Sequence, residues 1–102
     1  MNITLEKSKD ENQATSGSVE VVKFFYAAPE AEAVYLMGDF NDWNPASHRM
    51  QRAGGWWYLQ VPLARGYHQY KFVVDGTPKL DPHAAGMTRN TRYQQVSIVA
   101  VN

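Results

Sequence analysis

Ala33-Val34-Tyr35-Leu36-Met37-Gly38-Asp39-Phe40-Asn41-Asp42-Trp43-Asn44-Pro45 decides how this chain is read. The first half alternates, with Val34 and Leu36 on one face and Tyr35 on the other, the period-two pattern of a half-buried strand. After Met37 the composition changes to glycine, aspartate, asparagine and proline. These residues accept left-handed backbone angles or bond their own main chain, so a turn is predicted. Two aromatics, Phe40 and Trp43, lie inside that turn. An indole on a polar turn either folds back onto the core or meets a partner, and both readings stand at this point.

Working outward, the same period recurs. Val19 to Tyr26 is rich in β-branched and aromatic residues and sets Val22, Phe24 and Tyr26 on one face. Ala28-Pro29 ends it, and Glu30-Ala31-Glu32-Ala33 is too short for a stable helix. Beyond the turn, Ala46 to Ala53 is polar and basic. Gly54-Gly55 then introduces a strand, Trp56 to Val61, which Pro62 is expected to stop. Its alternation places Trp57, Leu59 and Val61 in the core and leaves Trp56 and Tyr58 partly exposed. Tyr67 to Val74 is the clearest strand, with His68, Tyr70, Phe72 and Val74 facing inward and Lys71 outward. Asp75-Gly76 signals a tight hairpin. Thr77 to Pro82 is a short edge segment at best, since proline cannot donate to a ladder. His83 to Arg92 reads as loop, and Tyr93 to Val101 as the final strand. Five or six short strands at intervals of about ten residues predict an all-β sandwich or barrel.

Composition narrows the function classes. A chain of 102 residues suits one domain, and 44% hydrophobic with 20% charged residues makes it globular. Residues 1–18 are mostly polar, with Ile3 and Leu5 the only large apolar side chains, and are expected to form a flexible tail; docking through Ile3 and Leu5 is the alternative. The domain proper is expected over residues 19–102. Ten basic residues balance ten acidic ones, so the totals indicate no basic face for nucleic acid or an anionic membrane. The absence of cysteine removes disulfides, thiolate metal sites and cysteine nucleophiles. It suits the reducing cytoplasm, and no secretory leader or membrane span is visible.

Several motifs in one order resemble a known family. The stretch Ala33 to Pro45, the tryptophan-containing strand before Pro62, and His68-Gln69-Tyr70-Lys71-Phe72-Val73-Val74-Asp75-Gly76 followed by Asp81-Pro82 together look like carbohydrate-binding module family 48. Similar domains are the glycogen-binding domain of the AMP-activated protein kinase β subunit and the N-terminal domains of isoamylases and glycogen-branching enzymes. The resemblance covers about Val19 to Val101. It implies an immunoglobulin-like β-sandwich of the early-set type that binds α-1,4-linked glucans such as glycogen, starch or maltooligosaccharides without hydrolysing them, and needs no cofactor. It assigns Trp43 as the platform for a sugar ring and Lys71 as a donor to sugar hydroxyls. Asn44, Trp56 and Asn90 are weaker ligand candidates; in the loop before the last strand the family makes further polar contacts, which would fall near Asn90 to Gln95. Thr77-Pro78 is a departure, because the kinase-type domain carries a second platform tryptophan at the position of Pro78.

The chemistry agrees with a binding role. A glucose ring has an apolar C–H face and a rim of hydroxyls, so it fits a flat aromatic surface edged with polar donors. Against a glycosidase, which needs a carboxylate pair, Asp39, Asp42, Asp75 and Asp81 all fall in turns where aspartate is favoured for backbone reasons. The chain also ends soon after the last strand, leaving no room for a catalytic barrel. His48, His68 and His83 lack metal-ligand spacing. The alternative from another class is a protein-interaction domain that has lost sugar binding and docks on a glycogen or starch enzyme or in a kinase-type complex.

Overall fold

A computed structural model describes residues 19–102; the expected tail over residues 1–18, with Ile3 and Leu5, lies outside them. The elements run β1 (Val19–Ala27), β2 (Val34–Gly38), a single 3-10 turn (Asp39–Asn41), β3 (Gln51–Ala53), β4 (Trp56–Ala64), β5 (Gly66–Val74), β6 (Thr77–Lys79), β7 (Gly86–Arg89) and β8 (Gln95–Val101). Two antiparallel sheets form an immunoglobulin-like β-sandwich. The first is three-stranded, in the order β1-β4-β3. In the second, five-stranded sheet β5 is central, with β2 along one edge. Its other edge is shared by β8, which pairs Gly66 to Tyr70, and β6, which pairs Phe72 to Val74. β7 extends the sheet beyond β8.

The apolar alternation packs as predicted. Phe24, Trp57, Val61 and Leu63 of the first sheet meet Val34, Leu36, Tyr70 and Phe72 of the second in one buried cluster. Phe24 meets Tyr70 edge-on at 4.9 Å, and the Tyr26 and Phe72 rings are also 4.9 Å apart. Each fully buried Leu or Phe contributes roughly 1.5–3 kcal/mol. Trp57 is buried, and its Nε1–H donates to Ala28 O at 3.0 Å, so its one polar atom is satisfied. Trp56 points the other way and is 47% exposed. At the hairpin after β5, Asp75 and Gly76 both take positive φ (49° and 86°), as the Asp-Gly pair requires. Asp75 Oδ1 also accepts from the N–H groups of Glu32 and Ala33, each at 2.9 Å, tying this hairpin to the start of β2.

Three expectations are corrected, and one segment to which the sequence assigned no element proves to end in a strand. Pro62 does not stop β4, which runs on to Ala64 with Pro62 opposite Val21. β3 covers β4 only at Trp56 to Tyr58, so β4 has an open edge at Pro62 where a missing N–H costs no ladder bond. The polar segment 46–53 ends in strand β3, held by the Arg52↔Trp57 register and by Arg52 Nη2 donating to Pro29 O at 2.7 Å. Residues 83–92 are not all loop, because Gly86 to Arg89 form β7 against β8. Finally, β8 begins at Gln95 rather than Tyr93, which belongs to the preceding turn.

Candidate functional site

The turn after β2 is built by Asn41. Its Oδ1 accepts the Gly38 N–H at 3.0 Å, and its Nδ2 lies 3.1 Å from Leu36 O, 3.0 Å from Ser47 Oγ and 3.1 Å from His48 Nδ1. One half-buried amide thus joins the end of β2 to the returning chain. Asp39 anchors the turn to β5: its Oδ2 accepts the Gln69 N–H at 3.0 Å, and its Oδ1 meets His68 Nδ1 at 3.0 Å. The turn closes with Asp42 and Trp43 both left-handed (φ 55° and 57°), and the Trp43 N–H donates to Gly38 O at 2.8 Å. Aspartate tolerates this region; for tryptophan it is an outlier of the kind that collects at functional positions.

This geometry swings Trp43 over the outer face of the five-stranded sheet. There a concavity of about 680 Å³ opens. Its floor is Met37 of β2, Gln69 and Lys71 of β5, Pro78 of β6 and Val96 of β8. Met37 and Lys71 are direct cross-strand partners. One wall is Asp42 and Trp43; the other is the turn at Arg89 to Arg92 with Gln94. That second wall is held by Asn90, whose Oδ1 accepts from Arg92 N at 2.9 Å and Gln94 N at 3.0 Å. Arg89 Nη1 donates to Tyr93 O at 2.9 Å across the same turn. Tyr93, at φ 61°, stands 80% exposed on it.

Of the sequence-derived candidates, Trp43, Lys71 and Asn90 come together here, Lys71 from within β5, Asn90 from the turn after β7 and Trp43 from the turn after β2. Asn44 does not line the concavity; its Oδ1 accepts the Ala46 N–H at 2.9 Å and serves the turn. Trp56 lies on the other sheet, in a separate, more apolar depression with Phe25 and Tyr58. Pro78 occupies the floor where the resemblance would have set a second platform. Sequence reasoning missed Met37, Gln69 and Arg89, and reached Arg92 only as part of the stretch Asn90 to Gln95. Gln69 was signalled by its alternation with Lys71 on the outward face of β5; Arg89 was not signalled, because β7 itself was not.

Two groups have shifted proton affinities. Burial lowers the affinity of His68, but the Ala64 carbonyl and then Asp39 outweigh it, so its pKa is raised above 6.5. Both ring nitrogens face acceptors, Nε2 to Ala64 O at 2.8 Å and Nδ1 to Asp39, and only the imidazolium can donate twice. Burial, then the hydrogen bond and charge of Asp81, raise the Tyr70 phenol far above 10. Its O–H donates to Asp81 Oδ2 at 2.6 Å. Among the described residues no group of three or more His, Asp or Glu side chains is placed to hold a metal.

A β-sandwich that holds an aromatic ring, a lysine and amides around a shallow open concavity is a carbohydrate-binding module. Residues 21–102 match the family described as the glycogen recognition site of AMP-activated protein kinase, and the chain belongs to that family. It is 41% identical over 91 residues to the 1,4-alpha-glucan branching enzyme GlgB of Deinococcus radiodurans, covering 83% of this chain and 13% of that enzyme. It is 48% identical over 56 residues to the GlgB of Rhodopseudomonas palustris, covering 54% of this chain and 8% of the enzyme. The chain therefore spans about an eighth or less of the length of these relatives. Among solved structures, the maltogenic amylase from S. marinus shares the fold, with a TM-score of 0.69 and 22% identity over 80% of this chain and 13% of that one.

Proposed function

We propose that this chain binds α-1,4-linked glucans without catalysis, with Trp43 as the stacking platform and Lys71 and Asn90 as the polar contacts. The observation that carries this reading is the concavity that gathers these three residues on the outer face of one sheet. Trp43 is tilted to the surface by a strained backbone rather than packed with the core cluster, which suits a platform. The carboxylates support a binding role over a catalytic one. Asp39, Asp75 and Asp81 each accept backbone or side-chain hydrogen bonds that brace the fold, and Asp42 alone lines the concavity.

A single shallow platform should bind weakly, with Kd on the order of 10 µM to 1 mM, or about −7 to −4 kcal/mol. Titration with maltoheptaose or β-cyclodextrin, followed by tryptophan fluorescence, tests it. A saturable change is expected, absent with a cellooligosaccharide. Trp43→Ala should weaken binding by about 2 kcal/mol, roughly thirtyfold. Lys71→Ala should weaken it without a change in Tm, which separates contact from folding. No change at millimolar sugar sinks the reading.

A second role is favoured by Phe25, Trp56 and Tyr58, which are 50%, 47% and 36% exposed on the outer face of the three-stranded sheet. Phe25 and Tyr58 are direct cross-strand partners, so the rings form one patch. This face suits contact with protein, such as a glycogen or starch enzyme or a kinase-type complex. Neither nucleic acid nor membrane is proposed as a partner, and no helix among the described residues is long and apolar enough to cross a membrane. A cytoplasmic location remains the proposal, supported by the absence of cysteine.

A further inference from the structure

The concavity is more positive than a neutral sugar needs. Lys71 rises from its floor and Arg89 and Arg92 from its far wall, against the single carboxylate of Asp42. The whole chain balances ten basic with ten acidic residues, so this is a local concentration and not a reflection of overall charge. Among the described residues the one ion pair is His68 with Asp39, so neither Asp42 nor any other described carboxylate pairs directly with these three cations. The Arg89 side chain is already oriented, because its Nη1 is committed to Tyr93 O at 2.9 Å. Arg92 is carried on a turn fixed by Asn90. Holding like charges together around a site costs free energy, and sugar hydroxyls return little of it, since neutral amides serve them equally well. An anion returns it. Guanidinium forks match the geometry of phosphate oxygens in particular, and a lysine adds a third donor.

We infer that the concavity takes an α-glucan carrying a phosphate monoester, the sugar stacked on Trp43 and the phosphate held between Lys71, Arg89 and Arg92. This rests on the α-glucan reading of the same site and adds the charge of its ligand. Within the site, Trp43 and the two arginines stand on opposite walls with Lys71 on the floor between them, so one ligand must present an apolar ring face and an anionic edge at once.

Calorimetric titration of the full chain with four ligands tests the inference: maltoheptaose, maltoheptaose phosphorylated at one 6-hydroxyl, glucose 6-phosphate and inorganic phosphate. The phosphorylated heptamer should bind about tenfold more tightly than the neutral one at about 20 mM salt, and the advantage should shrink at about 500 mM. Arg92→Gln, which keeps the backbone N–H used by Asn90, should bring the affinity ratio towards one; Arg92→Lys should retain most of it. Equal affinity for the two heptamers overturns the phosphate assignment and leaves the α-glucan reading standing. Inorganic phosphate or glucose 6-phosphate binding as tightly as the phosphorylated heptamer also overturns it, in favour of a free phosphate site. Failure of both heptamers to bind overturns the α-glucan reading and this one with it.

Discussion

Gly38→Ala should damage both the fold and the site, for a reason that can be read from distances. Gly38 is extended (φ −173°), a conformation open to any residue, so its backbone does not demand glycine. Space does. A Cβ at this position would lie 2.5 Å from Gln69 O and 2.5 and 2.8 Å from Cε2 and Cζ of Phe40. Ordinary C···O approach is about 3.3 Å, so the carbonyl contact alone is roughly 0.8 Å too close. The carbonyl belongs to β5, the central strand, and Phe40 is packed against Phe24, His48 and His68, so neither yields cheaply. Overpacking of this kind costs about 1–3 kcal/mol, which for a domain of this size lowers Tm by roughly 5–20 °C. Because Gly38 O accepts the Trp43 N–H, glucan affinity should fall as well. Urea unfolding measures the first effect, at unchanged m, and maltoheptaose titration the second. Gly54→Ala is the control: at φ 64° with nothing within 4 Å, it should cost only the left-handed penalty of about 1 kcal/mol and leave binding intact. Gly38→Ala within 0.5 kcal/mol of the parent chain would refute the steric argument.

Two further perturbations test the network beneath the site. His68 has a folded-state pKa raised above its unfolded value, so its stabilisation is fully present below about pH 6.5 and is lost as pH rises through the folded pKa. Urea stability should therefore decline from pH 6 to pH 8 more steeply in the parent than in His68→Gln, and identical slopes would remove His68 from the account. Tyr70→Phe deletes the donor to Asp81 Oδ2 within a half-buried cluster and should cost about 1–3 kcal/mol in thermal or urea unfolding, with glucan binding preserved because Tyr70 faces the core.

Much of the fold was legible because its strands carry their own pattern. Val34 and Leu36, Trp57 and Val61, Tyr70 and Phe72 fall on the buried side at every second position, as period-two burial requires. Where local pattern was silent, neighbours decided. Gly86-Met87-Thr88-Arg89 has no apolar alternation, and Met87 is 56% exposed; it is a strand because β8 offers an edge to pair with. Pro62 misled for the same reason, since whether a proline ends a strand depends on which of its edges is paired. At the site, Trp43 and Lys71 were accessible through motif and alternation. Arg92 was reached only as part of the stretch Asn90 to Gln95, and Arg89 not at all, because it enters the concavity from the end of β7. Asn44 and Trp56 were plausible on residue type, but one serves the turn and the other lies on the opposite sheet.

The division of labour along β5 explains how so small a domain can carry the proposed site as a preformed concavity. Tyr70 and Phe72 are driven into the core, and the same alternation presents Gln69 and Lys71 on the outer face without any loop to order. The two turns are held by short polar side chains: Asn41 and Asp39 pin the turn of Trp43 to this sheet, and Asn90 closes the arginine turn on itself. A ligand meeting such a surface orders little protein on binding, so a few contacts are enough to register as affinity. The cost is taken locally, as left-handed backbone at Trp43 and Tyr93, two aromatic residues that rarely adopt that conformation.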